Sequence, residues 1–191
     1  MLEFRNGSRS AFETLMKKYY SRILNFIYRF VANKEIAEDL TQEVFLRVFR
    51  FGHRYKPKSK FQTWLYTIAK NICLNELRKN KDFVASLDEP VTAGNEDQQL
   101  QIDDPRRCAA DEELIRNEKA MVIRQAINEL PENQRLAVIL RRYDDFSYVE
   151  IAETLGVSDK AVKSLLSRAK VNLRGRLAGL ASSSGNGEHL N

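Results

Sequence analysis

The chain has 191 residues, 43% of them hydrophobic and 30% charged, which is enough apolar material for one large or two small folded cores and too much for a disordered protein. Its formal net charge of +5 is unevenly spread: residues 1–83 carry a net +9, residues 84–118 a net −7 and residues 119–191 a net +3. The sequence has no apolar run of about 20 residues and no charged-then-apolar N-terminal leader, so membrane insertion and export are disfavoured and a cytoplasmic protein is expected.

Chemistry at a metal or a nucleophile finds little support. Cys73 and Cys108 form no CxxC pair and read as two reduced thiols, and His53 and His189 lie far apart in the chain. No nucleophile, base or metal-ligand constellation is visible, so no catalytic residue, metal or cofactor is expected.

Taken in order, every periodic segment predicts a helix. Ser10 and Glu13 form a candidate capping box, and Phe12, Leu15, Tyr19, Ile23, Phe26, Ile27 and Phe30 follow at spacings of three and four, giving a long first helix. Asn33 caps a second helix, in which Ile36, Leu40, Val44 and Val48 line one face and Glu38, Asp39, Gln42 and Glu43 another, ending near Phe51. Those acids sit in a basic block and would repel DNA. With Leu40 and Leu46 they suit a rim-and-anchor patch for a basic helix of another protein, whereas charge alone favours a plain solvated helix face.

Gly52 and Pro57 interrupt the helical pattern, and Ser59 opens a third helix through about Lys81. The loop and this helix interleave aromatic and basic residues, the composition that binds single-stranded nucleic acid through stacking and phosphate contacts. Tyr55 is the expected stacking residue, with Lys56, Lys58 and Lys60 tracking phosphates. Thr63, Thr67, Asn71, Asn75 and Arg78 form an accessible polar stripe, while Trp64 shares a side with Ile68 and is expected in the core.

Residues 84–118 read as an acidic flexible linker without a core, although Pro105 is placed to start a helix through residues 110–129. Pro131 begins another through Tyr143, and Ile123, Ile127, Leu130, Leu136 and Leu140 are positioned to pack behind the stretch Ser147–Lys170. That stretch describes two short helices joined by a turn at Gly156. Ile151, Ala152 and Leu155 pack against Val162, Leu165 and Leu166, and Ser158 caps the second helix near Asp159. Its outward residues Lys160, Lys163, Ser167, Arg168 and Lys170, with Ser158, are the types that hold phosphates and read base edges in a major groove. The predicted organisation is therefore all-α. Two small helical domains, residues 1–83 and 119–180, are joined by the linker and followed by a disordered tail at residues 181–191.

On these residues the chain resembles the extracytoplasmic-function sigma factors of bacterial RNA polymerase. AFETLMKKYYSRILNF, AEDLTQEVFLRVF and FQTWLYTIAKN are similar to the family's region 2, and LPENQRLAVILRRYDDFSYVEIAETLGVSDKAVKSLLSRAKVNLR to its region 4. The resemblance implies that the face carrying Glu38, Asp39, Gln42, Glu43 and Leu46 binds core polymerase at the clamp helices of its largest subunit. It implies that the loop before FQTWL captures a flipped base of the melted minus-10 element, with Tyr55, Lys56 and Asn71 at reader positions. Region 4 would read the minus-35 element as duplex and rest on the polymerase flap, and an anti-sigma factor would control the whole. Two positions depart from the family pattern: Leu165 stands where many members carry Arg, and the loop GHRYKPKSK is more basic than usual. The competing readings are a conventional helix-turn-helix repressor or activator, which binds duplex DNA without polymerase, and a nucleic-acid-processing enzyme, which needs clustered carboxylates or histidines.

Overall fold

Two short side chains set the starts of the helices that build the N-terminal core. In the computed structural model, which describes residues 1–57, 59–86 and 110–184, Ser8 has an extended backbone and its hydroxyl accepts the Ala11 amide at 3.3 Å. The first long helix therefore begins at Arg9. The expected cap Ser10 lies inside its first turn, where its carbonyl accepts from the Thr14 hydroxyl instead. Asn33 caps the next helix as expected, through the Ile36 amide at 2.9 Å.

The elements are α1 (Leu2–Arg5), α2 (Arg9–Val31), α3 (Lys34–Phe51), a 3-10 turn (Gly52–Arg54), α4 (Phe61–Ser86), α5 (Ala110–Asn128), α6 (Glu132–Arg142), α7 (Tyr148–Leu155) and α8 (Asp159–Ser184). All regular elements among the described residues are helices. The expected helix start at Pro105 lies outside the described residues, and α8 continues past the expected boundary at residue 180 as far as Ser184.

Helices α2, α3 and α4 form an N-terminal bundle around Phe26, Phe30, Val44, Val48, Leu65 and Ile72. Phe26 and Phe30 are fully buried, and each such side chain stabilises the fold by about 1.5–3 kcal/mol. Helices α5 to α8 form a second lobe around Leu130, Leu136, Leu140, Ile151 and Val162. Ile123, expected in this core, is instead 44% exposed, one turn ahead of Ala126 and Ile127, which are buried.

The two lobes pack on each other. Helix α4 lies against α7 and α2 against α6, so their buried residues form one continuous core rather than two separate ones. Tyr66 of α4 is the centre of this junction: its ring sits 5.0 Å from Phe26 and 4.8 Å from Phe146, and its hydroxyl donates to Asp144 at 2.5 Å. Arg135 donates to the Phe30 carbonyl at 2.8 Å, the Arg29 guanidinium lies 4.4 Å from the Tyr143 ring, and Lys60 pairs with Glu150 at 2.8 Å. A C-terminal lobe of this size buries little apolar surface alone, and docking on a larger body is the physical remedy.

Burial pushes the Asp144 carboxyl up to about 6, an effect partly offset by the Tyr66 hydroxyl and by Arg29 and Arg22, and reinforced by Asp145. Burial also raises the Tyr66 phenol, which stays protonated. A carboxyl raised in the docked arrangement favours docking below its ordinary value, and that contribution is lost as pH rises through about 6. The Lys60–Glu150 pair acts outside this range. Glu150, held down to about 2 by Lys60 and the Ser147 groups, loses its contribution only in strong acid.

Two outcomes are expected. Small-angle scattering should show a more compact chain at pH 5 than at pH 8, with Asp144→Asn compact at both, and a wild type indifferent to pH would contradict the assignment. Ser147→Ala removes one half of a capping box, the Glu150 amide to the Ser147 hydroxyl at 3.3 Å, and leaves the other, the backbone amide of residue 147 to the Glu150 carboxylate at 2.9 Å. It should lower stability by about 1 kcal/mol in urea unfolding.

Candidate nucleic-acid and protein interfaces

The second lobe presents a cationic helix face. Gly156 ends α7 in the left-handed region at φ 71°, with its amide on the Ala152 carbonyl at 2.8 Å, and this lets the chain reverse into α8 within three residues. Val162 and Ala169 are buried against α7 and α6, and Leu165 and Leu166 pack at the edge of the same core. Leu165 thus serves the lobe's interior. Lys160, Lys163, Ser167, Arg168 and Lys170 are all exposed, and Arg168 donates to the Ser164 hydroxyl one turn back at 2.9 Å. Ser158 is exposed too, but its hydroxyl accepts the Ala161 amide at 3.2 Å and so acts first as the cap of α8.

In the first lobe the 3-10 turn and the loop after it run to α4. Tyr55, expected to offer its ring to a base, is only 5% exposed. Its hydroxyl donates to the Ser59 carbonyl at 3.0 Å, and its ring packs edge-on against Trp64 at 5.2 Å and Phe61 at 6.0 Å. The loop folds back on α4, which gives Tyr55 the aromatic neighbours that sequence spacing did not reveal. Trp64, expected in the core, is only half-buried and supplies the outward wall.

That wall belongs to an open cleft of about 380 Å³ between α3 and α4, lined by Arg47, Phe51, Trp64, Ile68 and Asn71. Trp64, Ile68 and Asn71 recur at helical spacing along α4, and Phe51 closes the opposite side from the end of α3. An indole, a phenyl ring, an amide and a guanidinium around one opening suit a planar base with polar edges. Asn71, Asn75 and Arg78 are exposed in sequence along α4, and Lys56 is exposed on the loop. Thr63 departs from the expected stripe: it is 2% exposed, and its hydroxyl has no hydrogen-bond partner among the described residues. Thr67 donates to the Thr63 carbonyl at 2.8 Å. Lys60 points to Glu150 rather than to solvent ligands, and Lys58 lies outside the described residues.

Helix α3 carries the third surface. Asp39 and Gln42 are exposed, Glu38 and Glu43 half-buried, and Glu43 accepts from Arg47 Nε at 2.6 Å. Leu46 is 50% exposed, and Phe49, one turn further along the same face, is 54% exposed. Sequence reasoning passed over Phe49, Arg47 and Phe51. The signal for Phe49 was its spacing of three from Leu46, and for Arg47 its spacing of four from Glu43.

Other chemistry has little footing. Among the described residues no group of three or more His, Cys, Asp and Glu side chains is arranged to hold a metal, and no helix is long and apolar enough to cross a membrane. Cys73 is fully buried, which pushes its thiol up to about 12.

Residues 15–83 match the family Sigma-70 region 2, and residues 120–173 match Sigma-70, region 4. The RNA polymerase sigma-H factor of Pseudomonas aeruginosa is 31% identical over 170 residues, spanning 87% of this chain and 86% of that protein. RNA polymerase sigma factor YlaC of Bacillus subtilis is 32% identical over 169 residues, spanning 87% of this chain and 91% of that protein. The ECF RNA polymerase sigma factor SigW of the same organism is 29% identical over 179 residues, spanning 93% and 95%. The fold is that of the sigma factor RpoE solved with the anti-sigma factor NepR from Bartonella quintana, with TM-score 0.68 and 23% identity over 88% of this chain and 97% of that one. It is also that of CnrH solved with the cytosolic domain of CnrY, with TM-score 0.67 and 21% identity over 93% of this chain and 94% of that one. Matches to both regions, in order and across most of the chain, make this protein a member of the ECF family of RNA polymerase sigma factors, transcription initiation factors that are not themselves enzymes.

Proposed function

We propose that the chain uses its three surfaces for three partners: core RNA polymerase on α3, the melted minus-10 strand at the α3–α4 cleft, and the duplex minus-35 element on α8. The observation that carries this reading is the coexistence, on one chain, of a cleft walled by Trp64 and Phe51 and a separate exposed cationic helix. A duplex reader alone has no use for the cleft, since paired bases do not leave their stack. The cationic helix in turn has the side chains that a major groove requires.

Asp39, Gln42, Glu43 and Leu46, with Glu38 at the rim, are the proposed contacts to the clamp helices of the polymerase's largest subunit, and Phe49 extends them as an apolar anchor. At the cleft, Trp64 and Phe51 flank the base and Asn71 reads its edge, while Lys56, Asn75 and Arg78 follow the strand. Tyr55 supports Trp64 from behind. Lys60 reaches a phosphate by exchanging its exposed bond to Glu150 for the new one. On α8, Lys160, Lys163, Ser167, Arg168 and Lys170 face the duplex, with the lobe resting on the polymerase flap. The RpoE and CnrH structures, solved with NepR and the cytosolic domain of CnrY, suggest an anti-sigma protein as the regulator here as well. Work on the chromosome places the chain in the cytoplasm.

Asp39→Arg should weaken binding to core polymerase by about tenfold or more through like-charge repulsion, with the unfolding midpoint unchanged. Unaltered affinity for core would remove α3 from the proposal. Arg168→Ala should weaken binding to duplex promoter DNA and lower the slope of log affinity against log salt by about one. A slope equal to that of the wild type would place Arg168 off the DNA.

A further inference from the structure

Helix α1 precedes the part of the chain that matches Sigma-70 region 2, which begins at residue 15. It is nevertheless built into the lobe next to the cleft. The Phe4 ring stacks within a small aromatic cluster, 4.9 Å from Phe12 and 5.9 Å from Phe49, and covers Gly52, the first residue of the 3-10 turn. A Cβ on residue 52 would overlap Cε1 of Phe4, lie 3.0 Å from its Cδ1 and meet the Met1 methyl at 3.2 Å. Gly52 has φ −58°, an ordinary helical value, so its backbone needs no glycine. The close seat of Phe4 does.

From this seat the contacts run to the cleft. Arg5 donates to the Tyr55 carbonyl at 3.5 Å, the Tyr55 amide closes the turn onto the Gly52 carbonyl at 3.1 Å, and the Tyr55 ring rests on Trp64. Phe51, the other aromatic wall, is joined directly to Gly52. Both stacking walls are thus attached to the turn that α1 clamps.

We infer that α1 is a positioning element for the cleft: Phe4, seated on Gly52, holds the turn that sets Phe51 and, through Tyr55, Trp64 at the spacing a base requires. The inference rests on the reading of the cleft as the site of the unstacked minus-10 base. Phe4 touches no nucleic acid in this scheme and acts only through the turn. Loose walls capture a base poorly because stacking depends on both rings being in place before the base arrives.

Trp64 is the only tryptophan in the chain, so its emission reports the cleft wall without any DNA. Full-length wild type, Phe4→Ala, Gly52→Ala and the conservative Phe4→Leu would be measured alone by fluorescence and circular dichroism. They would then be measured as holoenzymes with core polymerase on a promoter selected by the wild-type holoenzyme. Phe4→Ala removes the ring and Gly52→Ala evicts it, so both should red-shift Trp64 emission at unchanged helix content. Both should also reduce discrimination between native and substituted minus-10 bases in open-complex formation, measured at saturating core polymerase, on the order of tenfold, the scale of one base-aromatic stack. Phe4→Leu should restore most of both signals.

Unmoved Trp64 emission in Phe4→Ala and Gly52→Ala would overturn the brace. So would shifted emission with full discrimination. A wild-type holoenzyme indifferent to every minus-10 base would sink the reading of the cleft, and this role with it. That failure is told apart from failure of the brace by the DNA-free Trp64 signal.

Discussion

The arrangement of this protein depends on one buried phenol. Tyr66 belongs to the core of the first lobe, where its fully buried ring meets Phe26, yet its hydroxyl and its other ring contact are supplied by Asp144 and Phe146 of the second lobe. A hydroxyl buried without a partner costs about 1–3 kcal/mol, so the first lobe's packing at this point calls for the second lobe or for water. Asp144 is the weak side of the contact. One of its carboxylate oxygens is buried with no hydrogen-bond partner among the described residues, and burial opposes its charge. The junction therefore joins a close aromatic contact to an acid whose charge burial opposes.

Docking bears differently on the three surfaces. It engages Lys60 through Glu150, a carboxylate standing where the reading of the loop places a phosphate. It leaves Asp39, Gln42 and Leu46 on α3 exposed, and likewise the cationic residues of α8. The face proposed for polymerase is thus accessible with the lobes docked. The acidic face proposed for polymerase and the cationic face proposed for duplex DNA lie on different helices, α3 and α8, so the one does not neutralise the other.

The helices were legible because their signals are local. Asn33, Gly156 and Ser158 act on amides and carbonyls within a few residues, and the apolar spacings of α2, α3 and α7 show which face is buried. The exposed residues of α3 and α8 followed from the same periodicity. Contacts between segments distant in sequence were not legible. Tyr55 looked like an exposed loop aromatic because nothing local announces Trp64 and Phe61 behind it, and Thr63 looked accessible because its helix was read without the elements packed against it. Ser8 was missed in favour of Ser10, since two serines two residues apart offer the same capping chemistry and only the turn at Gly7 decides between them. The union of the two cores through Tyr66 and Asp144 spans 78 residues and left no mark in the local pattern.

The central claim is that these surfaces work together only on polymerase. It is tested most directly by transcription in vitro with purified core enzyme, this chain and a library of genomic fragments. The account predicts RNA starting at a discrete set of sites that share two upstream elements, dependent on both protein components. If core enzyme with this chain starts no RNA above core alone while the chain by itself binds duplex sites tightly, the account is contradicted and a conventional helix-turn-helix regulator takes its place.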